Sequence, residues 1–249
     1  MDLVKNIKLK IEYDGTNYCG WQKQKNDKFV TLQGTLEKAI SNVTKEKVEV
    51  IGSSRTDSGV HAKGYICNFF TNTKIPSENL YKVINNNLPP DIVALSSEEV
   101  NMEFNSRYCS KGKTYEYTIL NSAQPVAIGR NYVFHFRDKL NIDNMKIASK
   151  YILGTHDFSA FRTQGSSVKT SVRTISNFEI DKKDDFIKFT ITGDGFLYNM
   201  VRIIVGTLIM VGLGKREPEY IRYVIEAKDR RKAGHCAPSS GLCLKEVFY

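Results

Sequence analysis

The chain contains no Cys-x-x-Cys pair, and its five cysteines, at 19, 67, 109, 236 and 243, are too scattered for a compact metal-ligand set. An odd number of thiols behind no secretory leader argues against a disulfide scaffold and points to a reducing cytosol. Met-Asp-Leu-Val-Lys opens a strand instead of a targeting peptide. Long apolar runs are missing as well. The stretch from Phe196 to Gly214 comes nearest, but Asn199 and Arg202 interrupt it. What remains is short of the ~18 to 20 apolar residues a membrane span needs, so a buried helix is expected there. Acidic charge is also in deficit, 27 Asp and Glu against 36 Lys and Arg, for a net charge of +9 spread along 249 residues. Such a surface favours a polyanionic partner through phosphate neutralisation and counterion release. With 41% hydrophobic and 25% charged residues the composition is that of a folded protein.

Hydrophobic periodicity organises the chain into two halves. In the first, residues 6–13 alternate as a strand ending at Asp14-Gly15, and Leu32, Leu36, Ala39, Ile40 and Val43 share a helical face. Strands are expected over 47–51 and 65–70. A helix with Leu80, Val83, Ile84 and Leu88 on its stripe follows, stopped by Pro89-Pro90, and then a strand over 91–95. In the second half the reading is a strand over 131–137 and a helix over 142–153. A hairpin of 172–180 with 186–192 follows, then the apolar helix, a polar helix over 219–229 and a strand over 242–248, with 113–120 as an extra strand before the set. Each half therefore reads as strand, helix, strand, strand, helix, strand. This is an α/β (α+β) chain of duplicated split βαβ halves, of the RRM or ferredoxin-like type, joined in a central antiparallel sheet. The halves are expected at 1–105 and 106–249, with a cleft along their pseudo-dyad.

One connection is chemically loaded. Between the strands at 47–51 and 65–70 runs Arg55-Thr56-Asp57-Ser58-Gly59-Val60-His61-Ala62. An Arg beside a buried Asp favours the ionised carboxylate, which then serves as a nucleophile or electrostatic anchor and poorly as a general acid. A solvated surface ion pair is the simpler reading. Asp57-Ser58-Gly59 is also similar to the active loop of aspartic proteases, whose chemistry needs two carboxylates sharing a proton, and the chain holds no second such triplet. Lys63 to Phe70 loosely follows the basic-Gly-aromatic strand of RNA-recognition modules, which keeps open an RNA-binding protein without catalysis. His61 and His156 read as structural hydrogen-bonding residues.

Taken in order, "YDGTNYCGWQ" from Tyr13, "TLQGTLEKAI" from Thr31, "RTDSGVHA" from Arg55, "FNSRYCSKGKTYEY" from Phe104, "GTHDFSAF" from Gly154, "GFLYNMVRIIVGTLIMVGLG" from Gly195, "DRRKAG" and "APSSGLCL" cover nearly the whole chain. This series resembles the tRNA pseudouridine synthase A family. The resemblance implies the pseudouridine synthase fold with a basic cleft, and isomerisation of uridine to pseudouridine in the anticodon stem-loop of tRNA, with no cofactor and no metal. It further implies a cytoplasmic homodimer in which one tRNA spans both subunits.

Residue by residue, Asp57 matches the family's catalytic aspartate. Arg55 matches an arginine that enters the space vacated by the flipped base. Tyr115 matches the aromatic that stacks on the uracil, and Arg202 a residue that pairs with the catalytic carboxylate. Departures fall at Ser54, Ser58, His235 and Cys236, where the family usually has Gly, Ala, Pro and Thr. None carries a chemical role, though they leave room for a shifted choice of uridine. The rival is a catalytically inactive RRM-like RNA-binding paralogue.

Overall fold

The structure, a computed structural model of the chain, describes residues 4–24, 28–163 and 170–249. The strand reading of residues 1–3 falls outside them. Two compact units form: Met1–Lys111 with Leu244–Tyr249, and Gly112–Cys243.

In the first unit, β1 (Lys5–Tyr13) places Ile7, Leu9, Ile11 and Tyr13 on one buried face by simple alternation. Helix α1 (Leu32–Thr44) starts where the Thr31 side chain accepts the Gly34 N–H, and stops at Lys45 in the left-handed region. Its buried stripe contains Leu36 and Ile40, and on the same face Gln33 and Glu37. After β2 (Ile51–Gly52) come β3 (His61–Thr71), a 3₁₀ turn over Ser77–Asn79, α2 (Leu80–Asn85) and β4 (Ile92–Val100). The sheet runs β4-β1-β3 with antiparallel neighbours, and β2 pairs with β3 at Asn68 and Cys67. This is the expected order of elements.

The strand expected over 47–51 shrinks to β2. Val50 is buried, but its N–H donates to Glu37 Oε1 and its carbonyl accepts from Gln33 Nε2, while the Val48 N–H donates to Ser41 Oγ. Side chains of α1 satisfy this backbone where a ladder would otherwise be needed.

The second unit opens with β5 (Gly112–Asn121), followed by β6 (Phe134–Phe136), α3 (Ile142–Ser149), β7 (Gly154–Asp157), β8 (Val172–Lys183), β9 (Phe186–Gly193), α4 (Met200–Gly212) and α5 (Tyr220–Ala227). The last strand, β10 (Leu242–Phe248), runs on from this unit into the first, where it edges β3.

Within the second unit the order is β5-β9-β8-β7. β5 pairs antiparallel with β9 from Lys113↔Gly193 to Leu120↔Phe186. The strand set aside as extra thus takes the place beside β9 that β1 takes beside β3, and it is the true first strand of the repeat. The strand expected over 131–137 reduces to β6, three residues lying parallel on β5. Strand β7 was not anticipated: four residues, none buried, carry too short a pattern to announce themselves.

Apolar helix α4 is buried along Ile203, Ile204, Val205, Leu208 and Val211. Among the described residues no helix is long and apolar enough to cross a membrane.

Candidate active site

The loop carrying Asp57 is held at almost every step by the segment after β1. Trp21 N–H donates to the Thr56 carbonyl (3.0 Å), Ser58 Oγ to the Tyr18 carbonyl (3.1 Å), and the Gly59 N–H to that same carbonyl (3.4 Å). The Thr56 hydroxyl, buried, meets Tyr13 Oη at 2.8 Å. Gly20 has φ +84, and a Cβ there would stand 2.6 Å from the Thr56 carbonyl oxygen, so only glycine lets the two segments approach this closely. Val60 N–H donates to the Asp57 carbonyl (3.2 Å), closing a turn whose third residue, Gly59, is left-handed at φ 76.

Beneath the loop lies an aromatic cluster. Trp21 and Tyr65 stack at 4.0 Å with planes 27° apart, and Tyr13 tilts against both at 6.4 and 5.7 Å. Tyr65, fully buried, donates its hydroxyl hydrogen to the Ser54 carbonyl, and its oxygen accepts the Ser54 N–H (3.4 Å). The residues on both sides of Arg55 are therefore clamped, Ser54 by Tyr65 and Thr56 by Tyr13 and Trp21. Asp57 sits one residue further on, half-buried.

Arg55 itself is exposed, and its Nε donates to Gln22 Oε1 at 3.2 Å. His61 is buried and accepts the Gly15 N–H on Nδ1 (3.1 Å), and His156 Nε2 lies 2.8 Å from the Leu153 carbonyl.

In the second unit, Tyr115 and Tyr117 share a face of β5. Tyr115 is buried, with the Phe196 ring edge-on at 5.0 Å and 80°. Tyr117 donates its hydroxyl to the Pro238 carbonyl (2.8 Å). Burial pushes the Tyr117 phenol well above its ordinary range, and the positive charge of Arg202 opposes the shift.

Arg202 lies in the first turn of α4, where the positive end of the helix dipole disfavours a cation unless acceptors compensate. Its Nε donates to the Ala237 carbonyl and its Nη1 to Asn199 Oδ1, each at 2.7 Å. Asn199 is itself left-handed at φ 62. The chain at 234–238 runs alongside α4: Ala237 N–H donates to the Arg202 carbonyl (3.2 Å) and Gly234 N–H to Thr207 Oγ1 (2.9 Å). A Cβ on Gly206 would be 1.8 Å from the His235 carbonyl oxygen. Arg202 and the strand of Tyr115 are thereby tied to one short segment, at Ala237 and Pro238. His235 meets the helix through its backbone.

Asp57 and Arg55 thus belong to the first unit, and Tyr115 and Arg202 to the second. Sequence reasoning missed the residues that hold them: Tyr13, Trp21, Thr56 and Tyr65 around the first pair, Tyr117 and Asn199 around the second. Two polar residues on the apolar stripe of α1, Gln33 and Glu37, were the available signal that something besides core sits there.

Comparison with known families shows the class to which this basic α+β chain belongs. A family model described as tRNA pseudouridine synthase matches residues 10–109 and 148–249. Three similar relatives are the tRNA pseudouridine synthase A of Clostridium acetobutylicum, 59% identical, the tRNA pseudouridine synthase A 2 of Clostridium perfringens, 56%, and the tRNA pseudouridine synthase A of Acetivibrio thermocellus, 54%. Each match covers 99% of this chain and 100% of the relative. The chain belongs to the tRNA pseudouridine synthase A family.

Proposed function

We propose that this protein isomerises uridine to pseudouridine in tRNA, with Asp57 as the nucleophile. The observation that carries the reading is identity above half over the full length of relatives bearing that name, in a chain whose only Asp-Ser-Gly triplet lies on the clamped loop. In the reaction the Asp57 carboxylate attacks the uridine and the bond from ribose C1′ to N1 breaks. The detached uracil turns, C1′ bonds to C5 as the carboxylate leaves, the hydrogen on C5 departs to solvent as a proton, and N1 takes up a proton.

The remaining roles follow from the cost of reaching a stacked base. Flipping it out takes a few kcal/mol. Stacking on Tyr115 returns ~1 to 3 kcal/mol, and Arg55 takes up the space the base vacates. Arg202 supplies the positive charge that favours an ionised carboxylate. The target arm is the anticodon stem-loop, the working form is a cytoplasmic homodimer, and neither cofactor nor metal takes part; these statements rest on the family resemblance.

The test is release of tritium from tRNA carrying uridine labelled at carbon 5. Wild-type protein releases it, and Asp57→Asn abolishes release while tRNA affinity stays within about twofold. Wild-type protein that binds tRNA and releases no tritium would overturn the enzyme and leave the RNA-binding reading standing. Mapping the modified uridines locates the arm, and sedimentation gives the oligomeric state.

A further inference from the structure

We propose that Glu37, Gln33 and Gln22 form a directional relay that positions Arg55, so that a carboxylate buried on α1 determines how an exposed arginine is presented to tRNA. The idea rests on the role given to Arg55 above.

The relay starts at Glu37, whose side chain is only 11% exposed. Every hydrogen bond it makes is one it accepts: from Val50 N–H and Gln33 Nε2 on Oε1 (3.1 Å each), and from Lys23 Nζ on Oε2 (3.2 Å). An acceptor of this kind fixes the neighbouring carboxamide. Gln33, 7% exposed, turns its NH₂ toward Glu37 and the Val50 carbonyl (3.1 Å). Reversing it would set oxygen against oxygen at both places, so the amide orientation follows from chemistry as well as from the assigned atoms.

The Gln33 oxygen must then face the other way. There it accepts the Lys23 N–H at 2.9 Å and Gln22 Nε2 at 3.1 Å. With its own NH₂ spent on Gln33, Gln22 can offer only oxygen on its far side, and that oxygen receives Arg55 Nε. Three side chains thus pass one instruction from the core to the surface: oxygen toward Arg55.

Two features make this more than a chance surface contact. The backbone on both sides of Arg55 is already pinned through Ser54 and Thr56, so the guanidinium is the remaining degree of freedom. Binding through Nε also leaves the terminal nitrogens, which make no hydrogen bond among the described residues, as the fork that suits a phosphate or a base edge. A guanidinium pre-set in this way loses less entropy on binding than a free one.

The experiment is a double-mutant cycle on the full-length protein with intact tRNA: Gln22→Ala, Arg55→Ala and the pair, read as kcat, KM and tRNA Kd. Gln22 is exposed, so its variant folds, and an unchanged Tm checks this. Gln22→Ala is expected to lower kcat/KM or raise Kd about 3- to 10-fold in wild type and to change neither in the Arg55→Ala background. Glu37→Gln, whose amide oxygen can take the Oε1 place and accept from Val50 and Gln33 as before, is expected to leave Gln33 oriented and both kcat/KM and Kd near wild type. A purely structural role would survive deletion of Arg55. An effect of Gln22→Ala that persists at full size on Arg55→Ala, or no effect in either background, overturns the relay. Should wild-type protein release no tritium, the functional reading fails separately, and the cycle is still decided by tRNA Kd.

Discussion

Tyr65→Phe removes one oxygen from beneath the Asp57 loop and leaves the ring that stacks on Trp21. The phenol is fully buried and serves Ser54 twice, donating to its carbonyl and accepting its N–H. Deleting it takes a partner from two backbone groups that lie two and three peptide units before the peptide of Asp57. Leaving a buried polar group unsatisfied costs about 1 to 3 kcal/mol. Ser54 is half-buried, so water recovers part of that and the lower half of the range applies. At about 2 to 4 °C per kcal/mol for a chain of this size, Tm falls by about 2 to 8 °C.

The kinetic effect is larger than the stability effect. A displacement of 1 Å at a reacting group can cost about 100-fold, so loosening the Ser54 clamp is expected to lower single-turnover tritium release by about 10- to 100-fold. KM should stay nearly constant, because the tyrosine touches the loop from inside the core. A fall in Tm with unchanged turnover would refute the reasoning, showing that Tyr13 and Trp21 alone hold the loop.

Gly206→Ala puts a methyl 1.8 Å from the His235 carbonyl oxygen, a backbone atom that cannot swing aside. The cost should exceed the ~1 to 3 kcal/mol usual for overpacking, and urea titration should show a sharply lowered midpoint or no folded protein. Asp157 gives a pH signature. Desolvation raises its pKa, but the Ser171 hydroxyl, the Ser159 N–H and Lys228 outweigh it and bring the carboxyl down to about 2. Because the folded value lies below the unfolded one, the stabilisation is complete above about pH 4 and is lost as pH falls toward 2. Wild type and Asp157→Asn should differ in urea midpoint at pH 6 and converge near pH 2; equal midpoints at both values would dismiss the contribution.

Much of this protein is legible in one dimension. The alternation of β1, the stripe of α1, the hairpin of β8 and β9 and the length of α4 depend on neighbours within a few residues, so periodicity alone carries them. The Asp57 loop stood out because Arg, Asp, Gly and His crowd a connection that a plain turn would not burden. Local pattern could not reveal which strand opens the second repeat, since β5 and β6 look alike until pairing with β9 selects one. Nor could it show that Val50 finds its hydrogen bonds in the side chains of Gln33 and Glu37 instead of a ladder, or that Arg55 answers to Gln22. Those partners lie 13 to 33 residues apart. Hydrogen-bond satisfaction is set by distance in space, which chain order leaves free until the core has packed.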